Sequence, residues 1–140
     1  MPKNINLLVK ELLKVDKDVY VSEDAIKEAL EHKGEFNFID GETGAKVDFW
    51  TEKNSEFDQI RFQRRKAEII DRKKVYFISP EDLILTKLEW YQMSESTRQL
   101  EDIESILKIS GNKLDMNYLR KWAEKLNCLD ILNKAIENKY

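Results

Sequence analysis

Several chemistries are excluded by what this chain has little of. Its 140 residues include one cysteine, Cys128, one histidine, His32, two prolines and four glycines. A single cysteine closes no internal disulfide. With one histidine and one cysteine, neither a zinc site nor a Cys–His nucleophile pair can be assembled. His32 falls at an acidic helix end and is assigned no chemistry. No apolar run approaches the roughly 20 residues that a membrane-spanning helix needs. Met1-Pro2-Lys3-Asn4 leads into an amphipathic segment, not a signal peptide. There is no phosphate loop, no dinucleotide fingerprint, no internal repeat and no Pro/Gly/Ser-rich linker. The expectation is one cytoplasmic domain over residues 1–140, with no membrane contact.

What is present is a mixture of 41% hydrophobic and 36% charged residues, which excludes disorder. A chain of this length supports one modest core, burying roughly two-thirds of its unfolded surface. The net charge of −3 is unevenly spread. Residues 1–60 hold eight basic and fourteen acidic side chains, a net of −6. Residues 61–74 hold seven basic side chains against Glu68 and Asp71, a net of +5. Such a patch, with Arg61, Arg64 and Arg65 at its start, suits phosphate, nucleic-acid or acidic-partner contact. The plainer reading is a solvated helix face followed by a lysine-bearing turn.

Ile5, Leu7, Leu8, Leu12 and Leu13 recur at helical spacing, so residues 4–15 read as an amphipathic helix. Ser22 caps a second helix that Gly34 ends. Residues 35–40 and 45–51 are aromatic and β-branched runs around an Asp40-Gly41 hairpin signal. Residues 56–66 read as a short helix. Residues 67–70 and 75–78 form a second hairpin around Asp71-Arg72-Lys73-Lys74. Ser79-Pro80-Glu81-Asp82 combines a cap, a first-turn proline and early acids, and Leu83, Ile84, Leu88 and Tyr91 give that helix its inward stripe. Ser96-Thr97-Arg98-Gln99 reads as a further capping box with Gly111 as the stop, and Asp115 caps the next helix. Trp50, Trp90 and Trp122 read as core anchors. The fold class is α+β: a small mixed or antiparallel sheet with flanking helices (residues 1–78), then a helical C-terminal half (residues 79–140).

Asp48 alternates with Val47 and Phe49 and therefore faces opposite to its apolar neighbours. It is either a solvent-face residue or a metal-binding carboxylate. Lys87 is either a lysine snorkelling beside Leu83, Leu88 and Trp90, or a phosphate ligand acting as a compact point charge. Arg98 and Asp102 stand at i, i+4 spacing, as a surface ion pair would.

Lys46-Val47-Asp48-Phe49, followed by Glu81-Asp82-Leu83-Ile84-Leu85-Thr86-Lys87-Leu88, resembles the later part of small nucleotidyltransferase-fold proteins of the minimal and abortive-infection type. The resemblance implies that Asp48 is a metal-binding carboxylate beside a nucleoside triphosphate, that Lys87 is a catalytic phosphate ligand, and that Arg98 and Asp102 brace the lysine helix. It implies Mg²⁺, held weakly. The family's Gly-Ser turn and Asp-x-Asp strand have no counterpart here, and Met1 falls just past that strand. Asp16-Lys17-Asp18 has the spacing but follows a helix, in the wrong setting. Two-metal phosphoryl chemistry needs more than one carboxylate. The expectation is a nucleotidyltransferase-like protein inactive by itself, or a binding module using residues 61–74. In the family the Asp48 strand pairs with the Asp-x-Asp strand. The edge at residues 45–51 is therefore expected to be covered by a homodimer or a partner chain.

Overall fold

The computed structural model describes residues 5–15 and 18–137. Asp16 and Lys17 of the Asp16-Lys17-Asp18 spacing lie outside them. The architecture is α+β, with two small antiparallel sheets among helices. The chain divides into two compact units, Met1–Asp58 and Gln59–Tyr140. The second hairpin therefore groups with the helical half. No helix among the described residues is long and apolar enough to cross a membrane.

The first unit opens with helix α1 (Ile5–Leu12) and the short strand β1 (Val19–Tyr20). Helix α2 (Glu23–His32) follows, then strands β2 (Glu35–Asp40) and β3 (Lys46–Trp50). Ser22 caps α2 as expected, accepting from the Ala25 amide at 3.2 Å. The left-handed residue that ends α2 is Lys33, at φ 55°, and Gly34 is merely next to it. The sheet order is β1-β2-β3, antiparallel throughout. Phe36 and Phe38 alternate inward along β2 and are buried. Phe36 stacks on its cross-strand partner Phe49 at 4.9 Å, the kind of pair that stabilises a two-strand register. Ile26, Ala29 and Phe36 form the core of this unit, with Ile5, Val9 and Leu12 of α1 packed against it. The inward stripe of α1 is thus Ile5, Val9 and Leu12. Leu7, Leu8 and Leu13, expected inward, are exposed, because a single core can take only one side of a two-turn helix.

The β2–β3 connection is built by Asp40. Its carboxylate accepts from the amides of Glu42 at 2.9 Å and Thr43 at 3.3 Å, and from the Thr43 hydroxyl at 2.9 Å. Those bonds hold the Asp40 carboxyl below the usual carboxylate range, the Glu42 amide contributing most. Gly44 takes the left-handed position at φ 69°. Gly41 is needed for another reason: a Cβ there would run into the carbonyl oxygen of Asp18.

Helix α3 (Glu56–Gln63) carries the boundary between the units. The second unit continues with strands β4 (Lys66–Ile70) and β5 (Lys73–Phe77) and helix α4 (Pro80–Ser94). Helix α5 (Thr97–Ser110), a 3-10 turn (Gly111–Lys113), helix α6 (Met116–Lys125) and helix α7 (Leu129–Glu137) complete it. The β4–β5 turn is two residues, Asp71 and Arg72, at φ 47° and 64°. That is the mirror-image turn whose twist matches a hairpin, and it is tighter than the four-residue connection expected. Ile84, Leu85, Leu88, Ile103, Leu119 and Leu132 are fully buried and form the centre of this unit. Leu85 replaces Leu83 and Tyr91, which are only half-buried, in the expected stripe of α4. Ser96 makes no side-chain cap bond, and Gly111 at φ −46° starts the 3-10 turn instead of stopping the helix. Trp122 is a core anchor, but Trp50 is 54% exposed and is not one.

Candidate functional site

The expected site residues fall in both units. Asp48 belongs to the first; Lys87, Arg98 and Asp102 belong to the second, as do Arg61, Arg64 and Arg65. Asp48 sits opposite Asn37 in the β2–β3 register, on the face away from Phe36 and Phe49. Its exposed carboxylate meets Lys46 Nζ at 2.9 Å, two residues back on the same face. That hydrogen bond pushes the Lys46 ammonium up from its ordinary value. The Oδ1 of Asn37, on the same face, is buried without a hydrogen-bond partner among the described residues. No group of three His, Cys, Asp or Glu side chains able to hold a metal occurs among the described residues. One carboxylate balanced by one lysine is a weak cradle for Mg²⁺, which prefers carboxylates combined with substrate phosphates.

Lys87 has a fuller setting. Its side chain is 14% exposed and meets Asp102 Oδ2 of α5 at 2.6 Å. Gln99 Oε1 lies at 3.4 Å, and the ammonium sits 5.9 Å from the centre of the Trp90 ring. The hydrogen bond from Lys87 holds the Asp102 carboxyl below its usual range against the smaller cost of burial, with Arg98 adding attraction. Asp102 thus turns to the lysine of the neighbouring helix as its hydrogen-bond partner. Gln99, read as a capping residue, is likewise drawn to Lys87. This ion pair ties α4 to α5. Arg98 is exposed and reaches the pair only through its field.

The densest polar cluster was only half visible in the sequence. Asp82, with no exposed surface, exchanges the expected capping bonds with Ser79: its amide donates at 3.1 Å and its Oδ2 accepts from Ser79 Oγ at 2.6 Å. The same carboxylate also receives Arg64 Nε at 3.1 Å and the Tyr118 hydroxyl at 2.5 Å. The Arg64 guanidinium lies 3.8 Å over the Tyr118 ring and 3.6 Å from Glu81. Burial, then the bond to Asp82, push the Tyr118 hydroxyl far up, so it stays a donor. Burial of Glu81 works the other way from its contacts: the Asp115 amide, Ser79 and Arg64 outweigh it and hold that carboxyl low. Arg64 and Tyr118 stand 18 and 36 residues from Asp82, beyond any local pattern.

This changes the view of residues 61–74. Arg61 donates to Thr86 Oγ1 at 3.0 Å, and Arg64 belongs to the Asp82 cluster. Arg65 lies 3.3 Å over the Phe62 ring and 4.8 Å from Tyr76, with its Nε buried and without a hydrogen-bond partner among the described residues. The three arginines, expected either on a solvated face or in contact with phosphate, are engaged by side chains of the second unit. The cations left on the surface are Lys66, Arg72, Lys73 and Lys74 of the β4–β5 hairpin, every residue of whose strands is exposed. Ile69 at 70%, Tyr76 at 50% and Phe77 at 44% make that hairpin apolar as well as basic.

Comparison of the chain with protein-family models, with curated proteins and with solved structures found no match.

Proposed function

We propose that the chain is a nucleotidyltransferase-like protein that transfers no nucleotide by itself. Asp48 is then its one metal-binding carboxylate and Lys87 its phosphate ligand, with Mg²⁺–nucleoside triphosphate held weakly. The remaining carboxylates come from a strand of a partner chain added at the open edge of β3. The observation that carries this reading is the Lys87–Asp102 pair. A lysine on the helix that opens Ser79-Pro80-Glu81-Asp82 is largely buried and held at 2.6 Å by an acid of the next helix. A lysine that served only to cover apolar surface would extend its ammonium to water. The unpaired outer edge of β3 among the described residues supports the partner-completed part.

Titration calorimetry with Mg²⁺–ATP tests the reading. Weak binding that is lost in Lys87→Met and reduced in Asp48→Ala agrees with it. Binding unchanged by both substitutions contradicts it.

A second reading is favoured by the β4–β5 hairpin: a non-catalytic module that contacts nucleic acid or protein through its exposed cations and apolar side chains. Phosphate contact predicts affinity that falls steeply with salt and is weakened by charge reversal at Lys73 and Lys74. These two, unlike Arg64, have no part in the Asp82 cluster. No retention of single- or double-stranded probes at low salt removes nucleic acid from the partners.

A further inference from the structure

The Asp40 amide donates to Ala45 O at 2.9 Å and the Thr51 amide to Gly34 O at 3.0 Å. These bonds fix the phase of the ladder, since hydrogen-bonded pairs alternate along antiparallel strands. Val47 and Phe49 thus direct their backbone groups to β2, while Lys46 and Asp48 direct theirs to the outer edge. The outer edge of β3 has no strand beside it among the described residues.

We infer that this edge pairs with the same edge of a second copy, antiparallel and about a two-fold axis through Val47. A two-fold axis perpendicular to the sheet keeps each side chain on its own face. It must therefore pass through a residue, because faces alternate with a period of two. Centres at Lys46, Val47, Asp48 and Phe49 all bring outward groups of this edge into pairs; the one at Lys46 sets lysine against lysine, and the one at Phe49 sets Asp48 against Trp50. An axis through Asp48 sets the two Asp48 carboxylates directly opposite each other, which is destabilising. An axis through Val47 sets Lys46 of each copy opposite Asp48 of the other and forms four backbone hydrogen bonds. Val47, 48% exposed, then meets its own counterpart. The edge is self-complementary in charge: a cation and an acid already 2.9 Å apart within one strand meet the reversed pair of the other. Each Asp48 comes to lie between two lysines.

The pairing has a functional consequence that rests on the nucleotidyltransferase-like reading. It occupies the edge that a carboxylate-bearing strand would need and neutralises Asp48. The homodimer is then the resting form, and completion of the site by another chain competes with it.

Sedimentation velocity of the full chain over a concentration series tests the pairing, independently of any nucleotide binding. The wild type is expected to dimerise reversibly. Lys46→Asp and Asp48→Lys, each placing like charges opposite one another, are expected to weaken the dimer about tenfold or more. An equimolar mixture of the two variants restores opposite charges at both pairs and is expected to form a heterodimer. That recovery also shows that both variants are folded. A wild type that stays monomeric at about 0.1 mM, a mixture that fails to associate, or Asp48→Asn dimerising more tightly than wild type would each overturn the inference. Failure of Mg²⁺–ATP binding, with the heterodimer intact, would instead strike only the nucleotide reading.

Discussion

Replacing Asp82 by alanine is the sharpest structural perturbation this chain offers. The carboxylate is fully buried and is the common acceptor for Ser79, Arg64 and Tyr118. Breaking a buried ion pair by removing one partner costs about 3–5 kcal/mol, because the other charge is left without compensation. Arg64 is 34% exposed, so water recovers part of that loss, and a value near the lower end applies. The capping exchange with Ser79 adds about 0.5–1 kcal/mol at the start of α4. Asp82→Ala is therefore expected to cost roughly 3–4 kcal/mol, a large share of the 5–15 kcal/mol that holds an ordinary domain. Asp82→Asn keeps an acceptor for Tyr118 and is expected to cost about half as much. Urea unfolding checks this, followed in parallel by circular dichroism and tryptophan fluorescence, since Trp122 lies 6.3 Å from the Tyr118 ring. The chain forms two compact units, so coincidence of the two probes must be established before one free energy is assigned. A cost below about 1 kcal/mol for Asp82→Ala would refute the view that this cluster organises the second unit.

Arg72→Gly should stabilise the β4–β5 hairpin by about 1 kcal/mol, because an L-residue is strained at φ 64° and glycine is not; a lowered urea midpoint would contradict this. Gly41→Ala should destabilise the first unit by about 2 kcal/mol or more, since its Cβ meets the Asp18 carbonyl, and a neutral effect on thermal unfolding would remove that constraint. Glu81 and Asp102 have folded pKa values below their ordinary 4.5 and 3.8, so each contributes stability present above those values and lost as pH falls through the lowered ones. Thermal stability should accordingly decline below about pH 5, and should decline less in Asp102→Asn.

Local signals carried much of the fold. Ser22, Ser79 and Asp115 act as caps because each stands before an apolar periodic run and needs only the amide three residues on. The hairpins were legible for the same reason: alternation and turn residues are short-range. Features that depend on the rest of the chain were not. Gln99 and Asp102 are drawn toward Lys87 from a different helix, which overrides the capping box at Ser96. Leu7 and Leu8 match a helical period as well as Val9 does, and only the position of α2 and Phe36 selects Ile5, Val9 and Leu12. Arg64 is a surface residue by type, and its place beside Asp82 and Tyr118 depends on bringing the end of α3 to α4 and α6. Of the candidate site, the sequence showed Asp48 on the outward face of its strand and Lys87 on its helix. It did not show that each already has a charged partner within 3 Å, Lys46 for one and Asp102 for the other.

The proposal is that this chain is nucleotidyltransferase-like and transfers no nucleotide by itself. It is tested most directly by incubating the purified chain with each α-labelled nucleoside triphosphate and Mg²⁺ and measuring transfer to protein, nucleic acid and small hydroxyl acceptors. The account predicts no transfer above a no-protein control. Transfer by the chain alone, abolished in Asp48→Ala, would contradict it.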